Sequence, residues 1–130
     1  MTTKIGSVLA ILTFFVAAGS LSGHHNYSAI FDGSKRVALT GTLTKLDWRN
    51  PHIEISLDAK NDRGQAEAWV IEGGPPSFFS RNKISKSDLE KHMGQTVMLE
   101  IYRARDGTLL GTLLKITFAD GTTLESNPTA

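Results

Sequence analysis

The sequence predicts a mostly β fold: a small five-stranded barrel with one short helix between its third and fourth strands. Five segments alternate apolar and polar residues with a period of two, which is typical of strands with one buried face. Turns rich in Asn, Asp and Gly separate several of these segments. The third and fourth segments are instead separated by a stretch with helix-capping residues.

The first three strands follow a mixed segment, Asn26–Arg36, in which Asp32–Ser34 is predicted to turn. The strands are predicted at Val37–Leu43, Ile53–Asp58 and Ala66–Ile71. Gly41 lies inside the first strand, where a missing Cβ atom often marks a bulge or a sharp bend. In the third strand, Trp69 faces opposite to its two neighbours.

The helix is predicted at Ser85–Met93, because Ser85 and Asp88 have the spacing of a capping box and Gly94 suits the position after a helix. Ser77–Asn82 could add a single turn. The last two strands are predicted at Val97–Tyr102 and Leu109–Phe118, joined by a turn at Asp106–Gly107. Three strands, a helix and two strands are typical of the OB barrel, with a half-open β-sandwich as the alternative.

The N-terminus has the organisation of an export signal. Lys4 precedes an apolar run, Ile5–Ala18, that is shorter than a membrane-spanning helix, and small residues follow it. We therefore predict a signal helix in residues 1–22, cleaved between 18 and 23, then one domain over 23–124 and a flexible tail over 125–130. An uncleaved anchor is the alternative. The protein is expected to be periplasmic or secreted, with membrane contact only through the uncleaved signal.

Composition excludes several classes of function. The chain has no cysteine, which rules out disulfides, thiolate metal sites and thiol catalysis. Loss of Lys4 with the signal leaves thirteen basic and thirteen acidic residues, and this neutral balance argues against nucleic acid as a partner. No nucleophile elbow, phosphate loop or dinucleotide fingerprint occurs, so we expect no enzymatic activity.

Several motifs resemble those of an uncharacterised bacterial exported family, a domain of unknown function in the 6152 series. They are His24-His25-Asn26-Tyr27, Phe31-Asp32, Val37–Leu43, Asn50-Pro51-His52, Trp69–Gly73 and Gly94–Val97. Asn26-Tyr27 departs from the family, in which a Ser-Phe pair is common. The resemblance covers nearly the whole mature chain and implies export and a small β domain. It implies no activity, ligand or catalytic residue.

Three of the four histidines predict a metal site. His24, His25 and His52 are candidate ligands, with copper ahead of zinc, because imidazole binds both and copper stands highest in the divalent affinity order. Cleavage before Gly23 would place His25 third, so that the amine, two amides and one imidazole could form a square-planar site. Cleavage before His24 would let its amine and ring chelate together, with His52 as third nitrogen. The alternative is a solvated pair and a hydrogen-bonded loop histidine.

A metal-free binding module is the second hypothesis. OB-type barrels bind ligands with one sheet face and its loops, often by aromatic stacking. Aromatic and polar side chains near strand ends are the candidate contacts: Trp48, Arg49, Asn50, Glu72 and Tyr102. The expected ligand is a small molecule, a glycan or a partner protein.

Overall fold

The computed structural model describes residues 27–126, which form a mostly β domain with six strands in one sheet. In chain order the elements are α1 (Tyr27–Ile30), β1 (Phe31–Asp47), β2 (Glu54–Lys60), β3 (Ala66–Glu72), α2 (Pro76–Arg81), α3 (Lys86–Glu90), β4 (Thr96–Ala104), β5 (Leu110–Thr117) and β6 (Thr123–Glu125). The predicted signal peptide, His24 and His25 lie outside the described residues, as do residues 127–130. No helix within residues 27–126 is long and apolar enough to cross a membrane.

The sheet has the strand order β3-β2-β1-β4-β5-β6, with antiparallel pairing between neighbours. A further, parallel pairing joins β3 to β5, so five of the strands form a ring of pairings. The five predicted strands are confirmed, and β6 adds a short sixth strand after the turn at Asp120–Gly121.

Strand β1 is long because it pairs with β4 along its first part and with β2 along its second. Gly41 belongs to both ladders, and a Cβ atom there would overlap the carbonyl oxygen of Asp58. Glycine is required here by the close approach of the β2 backbone, while the register shift between β1 and β2 lies farther along, between Leu43 and Lys45. The predicted turn at Asp32–Ser34 lies inside β1 as a register shift between Phe31 and Arg36, where Asp32 accepts a hydrogen bond from the Ser34 amide.

Alternate residues of the strands fill the core. Side chains that are at most 3% exposed include Leu43, Ile53, Ile55, Leu57, Trp69, Ile71, Val97, Leu99, Ile101, Leu113 and Ile116. Trp69 is 3% exposed whereas the next residue, Val70, is 39% exposed, which confirms the predicted orientation of the third strand. The alternation therefore separates an inner face from an outer face around the ring.

Two short helices separate β3 from β4, where one was predicted. Pro76 occupies the first position of α2, for which its fixed φ is suited, and Phe79 of that helix is fully buried. Lys83 has a φ of 60° and separates α2 from α3. The predicted capping box is confirmed, and hydrogen bonds from the Ser85 hydroxyl and amide lower the pKa of Asp88.

Candidate functional site

A row of five residues crosses the outer face, one from each strand of the ring. Strand register places Glu54 opposite Glu72, Glu72 beside Thr112, Thr112 opposite Tyr102, and Tyr102 opposite Arg36. We call these five residues the outer-face row. It brings together side chains from both ends of the chain.

The row points outward because the residues next to it in sequence point inward. Ile71, Ile101 and Leu113 are fully buried, and each adjoins a member of the row. Successive side chains of a strand lie on opposite faces of its sheet. The members of the row are accordingly accessible to ligands unless another segment covers them.

His52 contacts the row through Glu72. Its Nδ1 atom lies against Oε1 of the Glu72 carboxylate. An ionised carboxylate can only accept hydrogen bonds, so Nδ1 carries the proton and donates it. In a neutral imidazole this leaves the lone pair on Nε2, which is the arrangement that a metal-binding histidine needs.

The backbone beside His52 is held by a short bridge between two loops. The amide of Ile53 donates to the carbonyl of Gly74 at 3.2 Å, and the amide of Gly73 donates to the carbonyl of Ile53 at 2.8 Å. A Cβ atom on Gly73 would collide with the Ile53 side chain, so the loops can approach only with glycine there. The position of His52 therefore depends on the ordered core and not on a free loop.

Two like charges face each other across β2 and β3, at Glu54 and Glu72. Like charges directly opposite are unfavourable in a sheet. Each has a basic partner: Arg49 lies 3.4 Å from Glu54 and 3.3 Å from Asp47, and His52 lies against Glu72. The acidic pair makes this part of the surface favourable for a cation.

Tyr27 of α1 covers the middle of the outer-face row. Burial raises the pKa of Tyr27 to about 12, and the nearby Tyr102 and Glu72 add to the rise. Thr112 is 3% exposed although it lies on the outer face. Thr112 lies beside the phenol and opposes the rise in the pKa of Tyr27, but no group among residues 27–126 makes a hydrogen bond of normal geometry with the buried hydroxyl.

The segment that carries Tyr27 is also attached to the end of β4. The side chain of Arg105 donates from Nε to the carbonyl of Ser28 at 2.7 Å. The Arg105 amide donates to the carbonyl of Ile30 at 2.8 Å. The described chain therefore begins over Thr112, within electrostatic reach of the carboxylate that holds His52.

The structure brings some of the sequence-predicted contacts together and separates others. Glu72 and Tyr102 share the outer-face row, and Arg49 joins it through Glu54. Trp48 is partly buried and packs on the core, with its ring 5.7 Å from that of Phe79, while Asn50 is exposed in the loop before His52.

Sequence reasoning assigned no site role to Tyr27 or Thr112. Tyr27 is named there only as part of a family motif, and Thr112 carries no motif. The parallel register of β3 and β5 places Thr112 beside Glu72, and the attachment of α1 to Arg105 holds the segment that carries Tyr27. This register is a long-range property that periodicity along one strand does not contain.

The described residues supply only part of a metal site. Within residues 27–126, no group of three or more His, Asp or Glu side chains comes close enough to hold a metal ion. His52 and Glu72 provide one imidazole and one carboxylate that orients it. Further ligands would have to come from outside this part of the chain.

A separate groove of about 450 Å³ lies between α3 and the β5–β6 turn. His92 lines it, stacks on Phe118 with a ring separation of 4.2 Å, and contacts Oε1 of Gln95 through Nδ1 at 3.1 Å. The groove shares no residue with the outer-face row. His92 therefore belongs to a different part of the surface from the outer-face row that His52 contacts.

A family model described as a family of unknown function (DUF6152) matches residues 13–114. The matched range includes β1 to β4, most of β5, His52 and Glu72. No curated protein matches the chain.

Proposed function

The chain belongs to the family of unknown function DUF6152, and from its own residues we propose an exported, non-catalytic protein that binds Cu(II) through His24, His25 and His52. The observation that carries this proposal is the contact between His52 and Glu72. A carboxylate on one ring nitrogen fixes the tautomer, turns the other nitrogen outward and raises its basicity. Such a pair is the usual support of a metal-bound histidine.

The position of Tyr27 supports the remaining two ligands. His25 is two positions before Tyr27 in the sequence, and an extended chain spans at most about 3.3–3.6 Å per residue. The length of chain that joins His25 to Tyr27 is therefore at most about 7 Å. Since Tyr27 lies within electrostatic reach of Glu72, the N-terminal imidazoles can approach His52 without a long excursion.

The donor set favours copper over zinc. An N-terminal amine, backbone amides and imidazoles are nitrogen ligands suited to a square-planar Cu(II) site. The chain has no cysteine, which structural zinc sites commonly use. The acidic surface at Glu54 and Glu72 adds attraction for a divalent cation.

The fold and the compartment belong to the same proposal. The ring of pairings and its parallel β3–β5 contact support an OB-type barrel, in which short helices between the third and fourth strands pack at one end. The apolar run after Lys4 supports export to the periplasm or medium, where processing would create the N-terminus that chelates copper.

The proposal is tested by titrating Cu(II) into the processed exported protein, after mass spectrometry has identified its first residue. We expect micromolar or tighter binding, with heat and a d–d absorption band. His24→Ala with His25→Ala should abolish it, and His52→Ala should weaken it at least about tenfold. His92→Ala is the matched control and should leave affinity unchanged. Absence of heat and of the absorption band in the wild type would end the proposal.

A metal-free module is the second candidate, and the polar outer-face row with the Tyr102 ring favours it. Glycans and small molecules are bound by such combinations of aromatic and hydrogen-bonding groups. Titration with a soluble peptidoglycan disaccharide tests it directly. Binding that Tyr102→Ala weakens while His52→Ala leaves it unchanged would favour this function over copper.

A further inference from the structure

We propose that the groove between α3 and the β5–β6 turn binds small organic acids that combine an apolar body with one carboxylate. The groove has a volume of about 450 Å³, within the range of about 300–1,000 Å³ that is usual for small-molecule sites. None of its lining residues belongs to the outer-face row or to the proposed copper ligands. This binding site is therefore independent of the copper proposal.

The floor of the groove is apolar. Leu89 and Phe118 are 2% and 4% exposed, and Ile84 packs against the same core. His92 stacks on Phe118, with 4.2 Å between the ring centroids and 21° between the ring planes. Oε1 of Gln95 contacts Nδ1 of the same imidazole at 3.1 Å, which holds the ring in place. A ring or short chain of a ligand would be removed from water on this surface.

The two carboxylates that line the groove already have donors from the protein. Asp88 is held by the capping box at the start of α3, and Nζ of Lys91 lies 3.0 Å from its Oδ1. Asp120 accepts a hydrogen bond from the Thr122 amide at 2.9 Å. Hydrogen bonds from Thr122 and, to a smaller degree, the nearby His92 lower the pKa of Asp120. A cationic ligand would have to compete with these donors.

Lys83 supplies the positive charge that remains at the groove. Lys86 and Lys91 each form an ion pair with a carboxylate of α3. Among residues 27–126, no carboxylate lies within ion-pair distance of the Lys83 ammonium group, although this lysine lines the groove. An anionic group of a ligand would give Lys83 the partner that the described chain does not provide.

Lys83 also occupies a backbone position that favours glycine. Its φ of 60° is in the left-handed region. Its amide donates to the Ser80 carbonyl at 3.0 Å. The amide of Ile84 donates to the Phe79 carbonyl at 2.9 Å, which completes a Schellman motif at the end of α2. Non-glycine residues held in this conformation cost free energy and cluster at ligand sites, and here the side chain adds a charge to the groove.

The ligand that complements these features is a monoanion with an apolar body. Its carboxylate would pair with Lys83, and its body would lie on Leu89 and Phe118. An exposed ion pair contributes little free energy, so most of the affinity would come from the apolar floor. The charge would determine selectivity, because an uncharged analogue leaves Lys83 without a partner.

Titration of the metal-free processed protein with naphthoate, followed by amide chemical shifts in two-dimensional NMR, tests the proposal. We expect a dissociation constant on the order of 1 mM or tighter. The amides of His92 and Thr122, on opposite sides of the groove, should shift, and that of Tyr102 in the outer-face row should not. Naphthamide has a similar shape without the charge and should bind at least about threefold more weakly. Naphthylmethylamine should cause no saturable shift.

Lys83→Gly separates ligand binding from folding. Glycine suits a φ of 60°, so the midpoint of urea unfolding should equal or exceed that of the wild type. Naphthoate affinity should nevertheless fall by about threefold or more, to the level of naphthamide on the wild type. Lys83→Arg keeps the charge and should retain binding. Lys86→Ala is the matched control, because Lys86 pairs with Glu90 and does not line the groove.

Several results would overturn the proposal. They are the absence of saturable shifts at the amides of His92 and Thr122, equal affinities for naphthoate and naphthamide, and undiminished naphthoate binding by Lys83→Gly. An equal loss in Lys86→Ala would also overturn it, since general surface charge would then account for the effect. The comparison of naphthoate with naphthamide needs no variant and is made without metal, so it is decided whether or not the protein binds Cu(II).

Discussion

Substitution of Glu72 should separate metal binding from folding. Glu72 does not need to touch the metal; it holds Nδ1 of His52 so that Nε2 is free. Glu72→Gln keeps an oxygen that can accept the hydrogen bond but removes the charge. Glu72→Ala removes both.

The expected magnitudes follow from this geometry. Loss of an outer-shell partner costs about 10–100-fold in metal affinity, which corresponds to about 1.4–2.8 kcal/mol. We assign about tenfold to Glu72→Gln and about 100-fold to Glu72→Ala. Stability without metal should change by less than ~1 kcal/mol, because the His52 and Glu72 side chains are 47% and 28% exposed and Glu54 repels Glu72 across the strands.

Two assays measure the two quantities. Competition with a chelator of known affinity gives the Cu(II) dissociation constant, and urea unfolding of the metal-free protein gives the free energy of unfolding. Glu54→Gln is the matched control, since Glu54 is opposite Glu72 but binds Arg49 instead of His52. Copper affinity of Glu72→Ala within twofold of the wild type, or an equal loss in Glu54→Gln, would refute the role of the carboxylate.

The remaining predictions concern stability. The free energy of unfolding should fall as the pH rises from about 10, where tyrosine ionises in the unfolded chain, to about 12, the pKa of Tyr27 in the folded protein. Below pH 10 the contribution of the buried neutral phenol to stability is fully present. Alkaline unfolding of Tyr27→Phe should lack this loss of stability, whereas Tyr102→Phe should retain it. Trp48→Ala should cost ~2 kcal/mol in urea unfolding, about half the cost for a fully buried ring, and a loss below ~0.5 kcal/mol would contradict its packing on the core. Gly41→Ala should lower the free energy of unfolding by ~3 kcal/mol, because its Cβ atom would meet the β2 backbone. Gly33→Ala, with open space around its Cβ atom, should lower it by less than ~0.5 kcal/mol. Equal losses in the two variants would contradict the close approach of β2 to Gly41.

Local signals predicted much of the fold. Alternation identified five strands and the opposite orientations of Trp69 and its neighbours, and the Ser85–Asp88 spacing identified a capping box. These features depend on residues within a few positions of one another. The helix α2 was predicted only as a possible single turn at Ser77–Asn82, because its stability depends on burial of Phe79, which a six-residue pattern does not reveal.

The candidate site was predicted only in part. His52, Glu72 and Tyr102 were selected by residue type and position near strand ends, but nothing in their spacing joined them. Register brings Glu72 and Tyr102 together, through Glu72 beside Thr112 and Thr112 opposite Tyr102, and His52 joins them by its contact with Glu72. Trp48 was selected for its polar neighbours, yet its ring packs on the core.

The sequence by itself determined where five strands and the main turns lie, and which chemistry the chain excludes through its lack of cysteine. Only the tertiary structure decided that Glu72 meets His52 and that Tyr27 lies over Thr112, 85 positions later. The physical reason is that side-chain alternation has a period of two along one strand and carries no information about the neighbouring strand. The partner is selected by closure of the whole sheet, in which β3 and β5 pair in parallel across the intervening helices and β4.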